Sequence, residues 1–133
     1  MRVFFYGLFM DESLLASKGI EPSEIQVGFV DGYRLRIGER ATLLRDPDSR
    51  AYGAIMRVAP GEVKELYAED SVADYLPELV NVKLMDGTKL EATCYNLPAH
   101  RITGTNKEYA KSLLEVATRL GFPETYLDQI REA

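Results

Sequence analysis

The stretch Gln26–Val58, QVGFVDGYRLRIGERATLLRDPDSRAYGAIMRV, decides what kind of fold this chain can make. Short apolar-rich runs, QVGFVDG, YRLRI, ATLLR and AYGAIMRV, are separated by turn chemistry, and none carries the three-to-four spacing of an amphipathic helix. Asp46-Pro47-Asp48-Ser49, with proline at its second position, predicts a turn between the last two runs. The segment therefore reads as strands of a mostly antiparallel sheet.

Working outward, residues 2–6 are apolar on both alternation faces, which predicts a strand covered on both sides. The apolar run continues past Tyr6-Gly7 into Leu8-Phe9-Met10, where a surface turn would turn polar. Gly7 either relieves a bend inside the core or lets consecutive backbone N–H groups converge on an anion. Asp11 caps a short helix, Glu12 to Lys18, that stops at Gly19. Downstream, Pro60-Gly61 closes the strand group, Glu62 to Tyr67 predicts a short helix, and AEDSVADYLPE reads as a loop rich in carboxylates. Asp86-Gly87 joins LVNVKLM to KLEATCYNL as a two-residue hairpin. Glu78 opens the first of these strands as a surface residue.

The last third is helical. Thr105-Asn106-Lys107-Glu108 has the spacing of a capping box, and Tyr109, Leu113, Val116, Ala117 and Leu120 then recur on one face. Gly121 ends that helix, and Pro123 stands at the first position of another, which runs to about Ile130. The expectation is one α+β domain over residues 1–133: a mostly antiparallel sheet, curled or closed, with helices packed on it.

Composition narrows the function. With 21 acidic and 16 basic residues, net charge -5, and no basic block, nucleic acid and membrane are poor partners. No signal segment or spanning helix is evident, so a cytoplasmic location is the default expectation. The single cysteine and single histidine leave no Cys/His metal cluster to assemble, and no metal or cofactor is expected. Cys94 alternates in phase with Leu90 and Ala92 and reads as core; His100 reads as a loop residue. What remains for chemistry is carboxylates and the backbone of the Gly7 turn.

VFFYGLFM resembles the YGSL or YGTLM signature of the gamma-glutamylcyclotransferase / AIG2-like family. Further matches follow in the family's order: GFVDGYRLRIGERATLLRDPDSRAYGAIMRV, LVNVKLMDGTKLEATCYNL and YAKSLLEVATRLGFPETYLDQI. The resemblance implies a small mixed, mostly antiparallel β-barrel with flanking α-helices. It also implies a reaction in which the α-amino nitrogen of a gamma-glutamyl group attacks its own γ-carbonyl, releasing 5-oxoproline and a free amine. By the same resemblance, Tyr6, Gly7, Leu8, Phe9 and Met10 form the substrate-binding turn, with Leu8 where the family commonly has serine or threonine.

The resemblance further implies a catalytic glutamate in a Leu-Asp-x-x-Glu-Gly motif, followed by a tyrosine just before the late strand. This chain reads LYAEDSVADYLPELVNV instead. Aligning Leu66 puts Asp70 on the catalytic position, Ser71 on the glycine and Tyr67 on the aspartate; a shift of one puts Glu69 there. Pro77 replaces the tyrosine, with Tyr75 close by. An aspartate reaches less far than a glutamate by on the order of 1.5 Å. Two readings result: an enzyme acting on a gamma-glutamyl compound through Glu69 or Asp70, or a non-catalytic relative whose pocket binds a small carboxylate or a protein partner. Oligomeric state is not encoded in any motif.

Overall fold

Val3, Phe4 and Phe5 are all buried, so strand β1 (Arg2–Phe5) has both faces covered, as its unbroken apolar run predicts. The computed structural model describes residues 1–132. Around β1 run β2 (Ser23–Ile37), β3 (Ala41–Arg57), β4 (Leu76–Leu84) and β5 (Lys89–Asn96). They form a closed barrel in the order β1-β3-β2-β4-β5. All pairings are antiparallel except β1 against β5, which is parallel at Val3 and Thr93. The fold is thus a small α+β one with a mixed five-stranded barrel.

The β2–β3 hairpin corrects one expectation. Asp46–Ser49 does not reverse the chain; these four residues bulge out of β3 opposite Gly32, between the pairs Tyr33–Arg45 and Asp31–Arg50. Asp46 holds the bulge by accepting from the Asp48 N–H at 3.1 Å and the Ser49 hydroxyl at 2.8 Å, a local alternative to ladder bonds. The four expected runs therefore make two long strands, bent rather than broken. The reversal lies at Gly38–Arg40, between Ile37 and its partner Ala41.

Closure of the barrel depends on close backbone approach. Gly28 and Gly53 are direct cross-strand partners. A Cβ on Gly53 would run into the Phe5 carbonyl and the Phe4 ring, and one on Gly28 into Val82 and the Lys83 carbonyl. Both sites can only be glycine while the strands stay this close.

Four helices flank the barrel: α1 (Glu12–Ser17), α2 (Pro60–Leu66), α3 (Lys107–Arg119) and α4 (Glu124–Arg131). Asp11 caps α1 through the Ser13 N–H at 3.0 Å, as expected. The cap of α3 is Asn106 and not Thr105: the Asn106 side chain accepts the Tyr109 N–H at 2.9 Å and donates to the Glu39 carbonyl at 3.1 Å. Asparagine wins because its amide can bond both its helix and the hairpin tip. α3 buries Leu113, Val116 and Ala117, and α4 buries Tyr126, Leu127 and Ile130. No helix among the described residues is long and apolar enough to cross a membrane.

Cys94 is fully buried, and burial pushes its thiol well above the ordinary value; it is core. Glu78 is not the surface residue its strand position suggests. It is half-buried and accepts from the Asn96 amide, the Tyr33 hydroxyl and Arg45, tying β4 to β5 and to the β2–β3 hairpin.

Candidate functional site

After β1 the chain leaves the barrel at Tyr6 and makes a single tight turn, Leu8–Met10, before α1. The Met10 N–H donates to the Gly7 carbonyl and the Asp11 N–H to the Leu8 carbonyl, each at 3.0 Å. This turn forms one wall of a cavity of about 330 Å³. The other walls are the hairpin tip at Glu39–Ala41, the segment Tyr67–Tyr75, Tyr95 of β5, Tyr109 of α3, and Leu14 and Lys18 at α1.

Of the five turn residues, Tyr6, Gly7, Leu8 and Phe9 line the cavity and Met10 does not. A tight turn advances about 120° per residue, which carries Met10 round to the barrel side, where it is 3% exposed. The need for glycine at position 7 comes from the Tyr109 side chain that crosses it, with no demand from the Gly7 backbone itself. Its φ of -109° suits any residue; glycine is needed because a Cβ would collide with the Tyr109 hydroxyl. That hydroxyl accepts the Leu8 N–H at 3.2 Å. Among the described residues, the Gly7 and Phe9 N–H groups have no hydrogen-bond acceptor.

Seven of the lining residues are aromatic. Tyr67 stacks on Tyr95 with ring centroids 3.9 Å apart and meets Phe9 edge-on at 5.9 Å. Tyr6 donates its hydroxyl to the Tyr95 carbonyl at 2.7 Å. Burial is the main cause raising Tyr6, Tyr67, Tyr75 and Tyr109 above the ordinary phenol value. All four therefore stay neutral near pH 7 and can donate hydrogen bonds.

Of the candidate acids, Glu69 lines the cavity and Asp70 does not; Asp70 is exposed. The Lys18 ammonium lies 2.8 and 3.0 Å from the two Glu69 oxygens. Asp74 serves the scaffold instead. Its carboxylate takes two hydrogen bonds from Arg40, at 2.5 and 2.9 Å, and these hold it below the ordinary carboxylate range. Arg40 also donates to the Ser71 carbonyl at 3.1 Å, and Tyr75 to the Ala41 carbonyl at 2.5 Å. The acidic loop is thus fastened to the hairpin tip, with Glu69 left on the cavity side. Tyr75 stands directly before β4, and Pro77, which replaces the tyrosine of the resemblance, lies within that strand.

The family model of the AIG2-like family matches residues 50–130. The chain belongs to this family. No curated protein matches the sequence, but solved structures match the fold of this AIG2-like protein. A gamma-glutamyl cyclotransferase superposes with a TM-score of 0.83 at 16% identity, covering 98% of this chain and 86% of that one. An uncharacterized protein from Homo sapiens gives 0.81 at 16% identity, over 98% and 85%. YkqA from Bacillus subtilis gives 0.79 at 19% identity, over 99% of this chain and 53% of its own length. At these identities the likeness is one of fold.

Several lining residues of the AIG2-like protein escaped sequence reasoning. Tyr109 looked like one more apolar position on a helix face, and nothing in the pattern singles out Tyr95. Lys18 and the Glu39-Arg40 tip carry no motif. The one available signal was compositional: eight tyrosines and no tryptophan, an aromatic content weighted toward rings with a hydroxyl.

Proposed function

We propose that the protein is a gamma-glutamylcyclotransferase, converting a gamma-glutamyl amide to 5-oxoproline and a free amine. The observation that carries this reading is that Glu69 and the Gly7 turn line one cavity. The fold likeness to a gamma-glutamyl cyclotransferase supports it.

The substrate's α-carboxylate sits against the N–H groups of Gly7 and Phe9, with the neutral Tyr109 hydroxyl beside them as a further donor. Held this way, the substrate folds so that its α-amino nitrogen reaches its own γ-carbonyl carbon. Pre-paying that orientation removes much of the entropic barrier. The new N–C bond closes a five-membered ring, the old amide C–N bond breaks, and no water is consumed. Glu69 takes a proton from the attacking nitrogen and returns one to the departing nitrogen, a contribution of roughly 10²–10⁴-fold.

The test is 5-oxoproline release from a panel of gamma-glutamyl amino acids and amines. Glu69→Gln is expected to lower turnover by about 10²–10⁴-fold, and Asp70→Asn to change it less than about threefold. Equal loss in both variants would refute Glu69 as the acid/base. A second reading, a pocket that binds without catalysing, is favoured by one contact: Lys18 already occupies both Glu69 oxygens. Binding of the panel with no 5-oxoproline from any member would select it.

A further inference from the structure

Two cations, Lys18 and Arg40, and two carboxylates, Glu39 and Glu69, line the cavity, and Asp74 stands behind Arg40. Lys18 is spent on Glu69, at 2.8 and 3.0 Å. Arg40 is spent on Asp74, at 2.5 and 2.9 Å. Glu39, the remaining charged lining residue, has no ion-pair or side-chain hydrogen-bond partner among the described residues. Its backbone is nevertheless fixed from both sides: the N–H donates to the Thr103 carbonyl at 2.7 Å, and the carbonyl accepts from Asn106 at 3.1 Å. Its side chain lies against Gly104, where φ is +68° and an added Cβ would press on the Glu39 Cγ and one carboxylate oxygen. The carboxylate is exposed at the cavity rim beside Arg40, with no ion-pair partner of its own among the described residues.

We infer that Glu39 is a specificity-determining residue that selects gamma-glutamyl amides whose leaving amine carries a second positive charge, such as a diamine. This rests on the cyclotransferase reading. The gamma-glutamyl half of any substrate brings one carboxylate and one amino group. An amino acid as leaving group adds a second carboxylate, and no uncommitted cation among the described lining residues would receive it. A second ammonium instead meets Glu39 and the faces of the tyrosines, whose π-clouds attract cations. The net charge of -5 favours approach of the same ligands.

The experiment compares kcat/KM for three gamma-glutamyl amides of matched length: of a diaminoalkane, of an n-alkylamine and of an ω-amino acid. The expected order is cationic, then neutral, then anionic, with roughly fivefold between the first two, as exposed ion pairs and cation–π contacts allow. High salt narrows that gap. Glu39→Gln brings the cationic-to-neutral ratio below about twofold, and Glu39→Lys inverts the order. Equal rates for the three amides would overturn the inference. So would a Glu39→Gln effect of the same size on all of them, because Glu39 would then face the common α-amino group. If none is cyclised, the cyclotransferase reading fails, and calorimetric titration of the same amides decides the selection. Tighter binding of the cationic amide, lost in Glu39→Gln, upholds it; equal or absent binding overturns it.

Discussion

The hydroxyl of Tyr109 occupies the space that a Cβ on residue 7 would fill, so Gly7 and Tyr109 fit together only as a pair. Gly7→Ala should destabilise the protein by about 1–3 kcal/mol through overpacking. Tyr109→Phe keeps the ring and removes the oxygen, leaving the Leu8 N–H unpaired at a cost of about 1 kcal/mol. In that background Gly7→Ala should cost less than in the parent, since the ring carbon bearing the hydroxyl would lie 3.8 Å from the new methyl. Denaturant unfolding of the four proteins gives the coupling directly, and strictly additive costs would contradict the pairing.

The glycines of the barrel separate in the same way. Gly53→Ala and Gly28→Ala each press a methyl group on backbone or ring atoms and should lose roughly 1–3 kcal/mol or fail to fold. Gly61 lies in α2 with nothing near an added methyl. Gly61→Ala should gain about 0.4–1 kcal/mol by restricting the unfolded chain. Thermal melts should shift in opposite directions; a matching loss at Gly61 would contradict this assignment.

The Arg40–Asp74 pair links stability to pH. Hydrogen bonds from Arg40 depress the Asp74 carboxyl in the folded state, so folding favours its ionised form. The resulting stabilisation is present above the unfolded value, about 3.9, and is lost as pH falls through the lower folded value. The difference in stability between the parent and Asp74→Asn should therefore shrink as pH falls below about 4. A constant difference over that range would show that the charge plays no part.

At the start of α3, Asn106→Ala removes the helix cap and the bond to the Glu39 carbonyl. It should cost about 1–2 kcal/mol. Thr105→Ala, which the sequence pattern would rank as the damaging change, should cost less than about 0.5 kcal/mol. Chemical denaturation that ranks the two the other way would restore the capping box.

Local signals in the chain were legible. The two-faced strand Val3–Phe5, the Asp11 cap, the glycine stop at Gly121 and the buried phase of Cys94 all depend on neighbours a few residues away, and each is in place. The resemblance gave the barrel, and of the five turn residues it implies, four line the cavity. What could not be read depends on distance along the chain. The bulge at Asp46–Ser49 carries the composition of a reversal, and only pairing with β2 keeps it in the strand. Gly7 owes its identity to a tyrosine 102 positions later, and that Glu69 lines the cavity while Asp70 does not depends on walls made by other segments.

The site is also indivisible. Its walls come from Phe5–Phe9, the hairpin tip at Glu39–Ala41, the Tyr67–Tyr75 loop, Tyr95 and Tyr109, so no fragment shorter than residues 5–109 contains it. Residues 50–130, the part matched by the family model, include Glu69 and Tyr109 but neither the Gly7 turn nor Glu39. A split or truncated protein would have no partial pocket to report on. Ligand binding should appear and vanish with the cooperative unfolding of the whole barrel, which makes occupancy of the cavity a direct gauge of the native population.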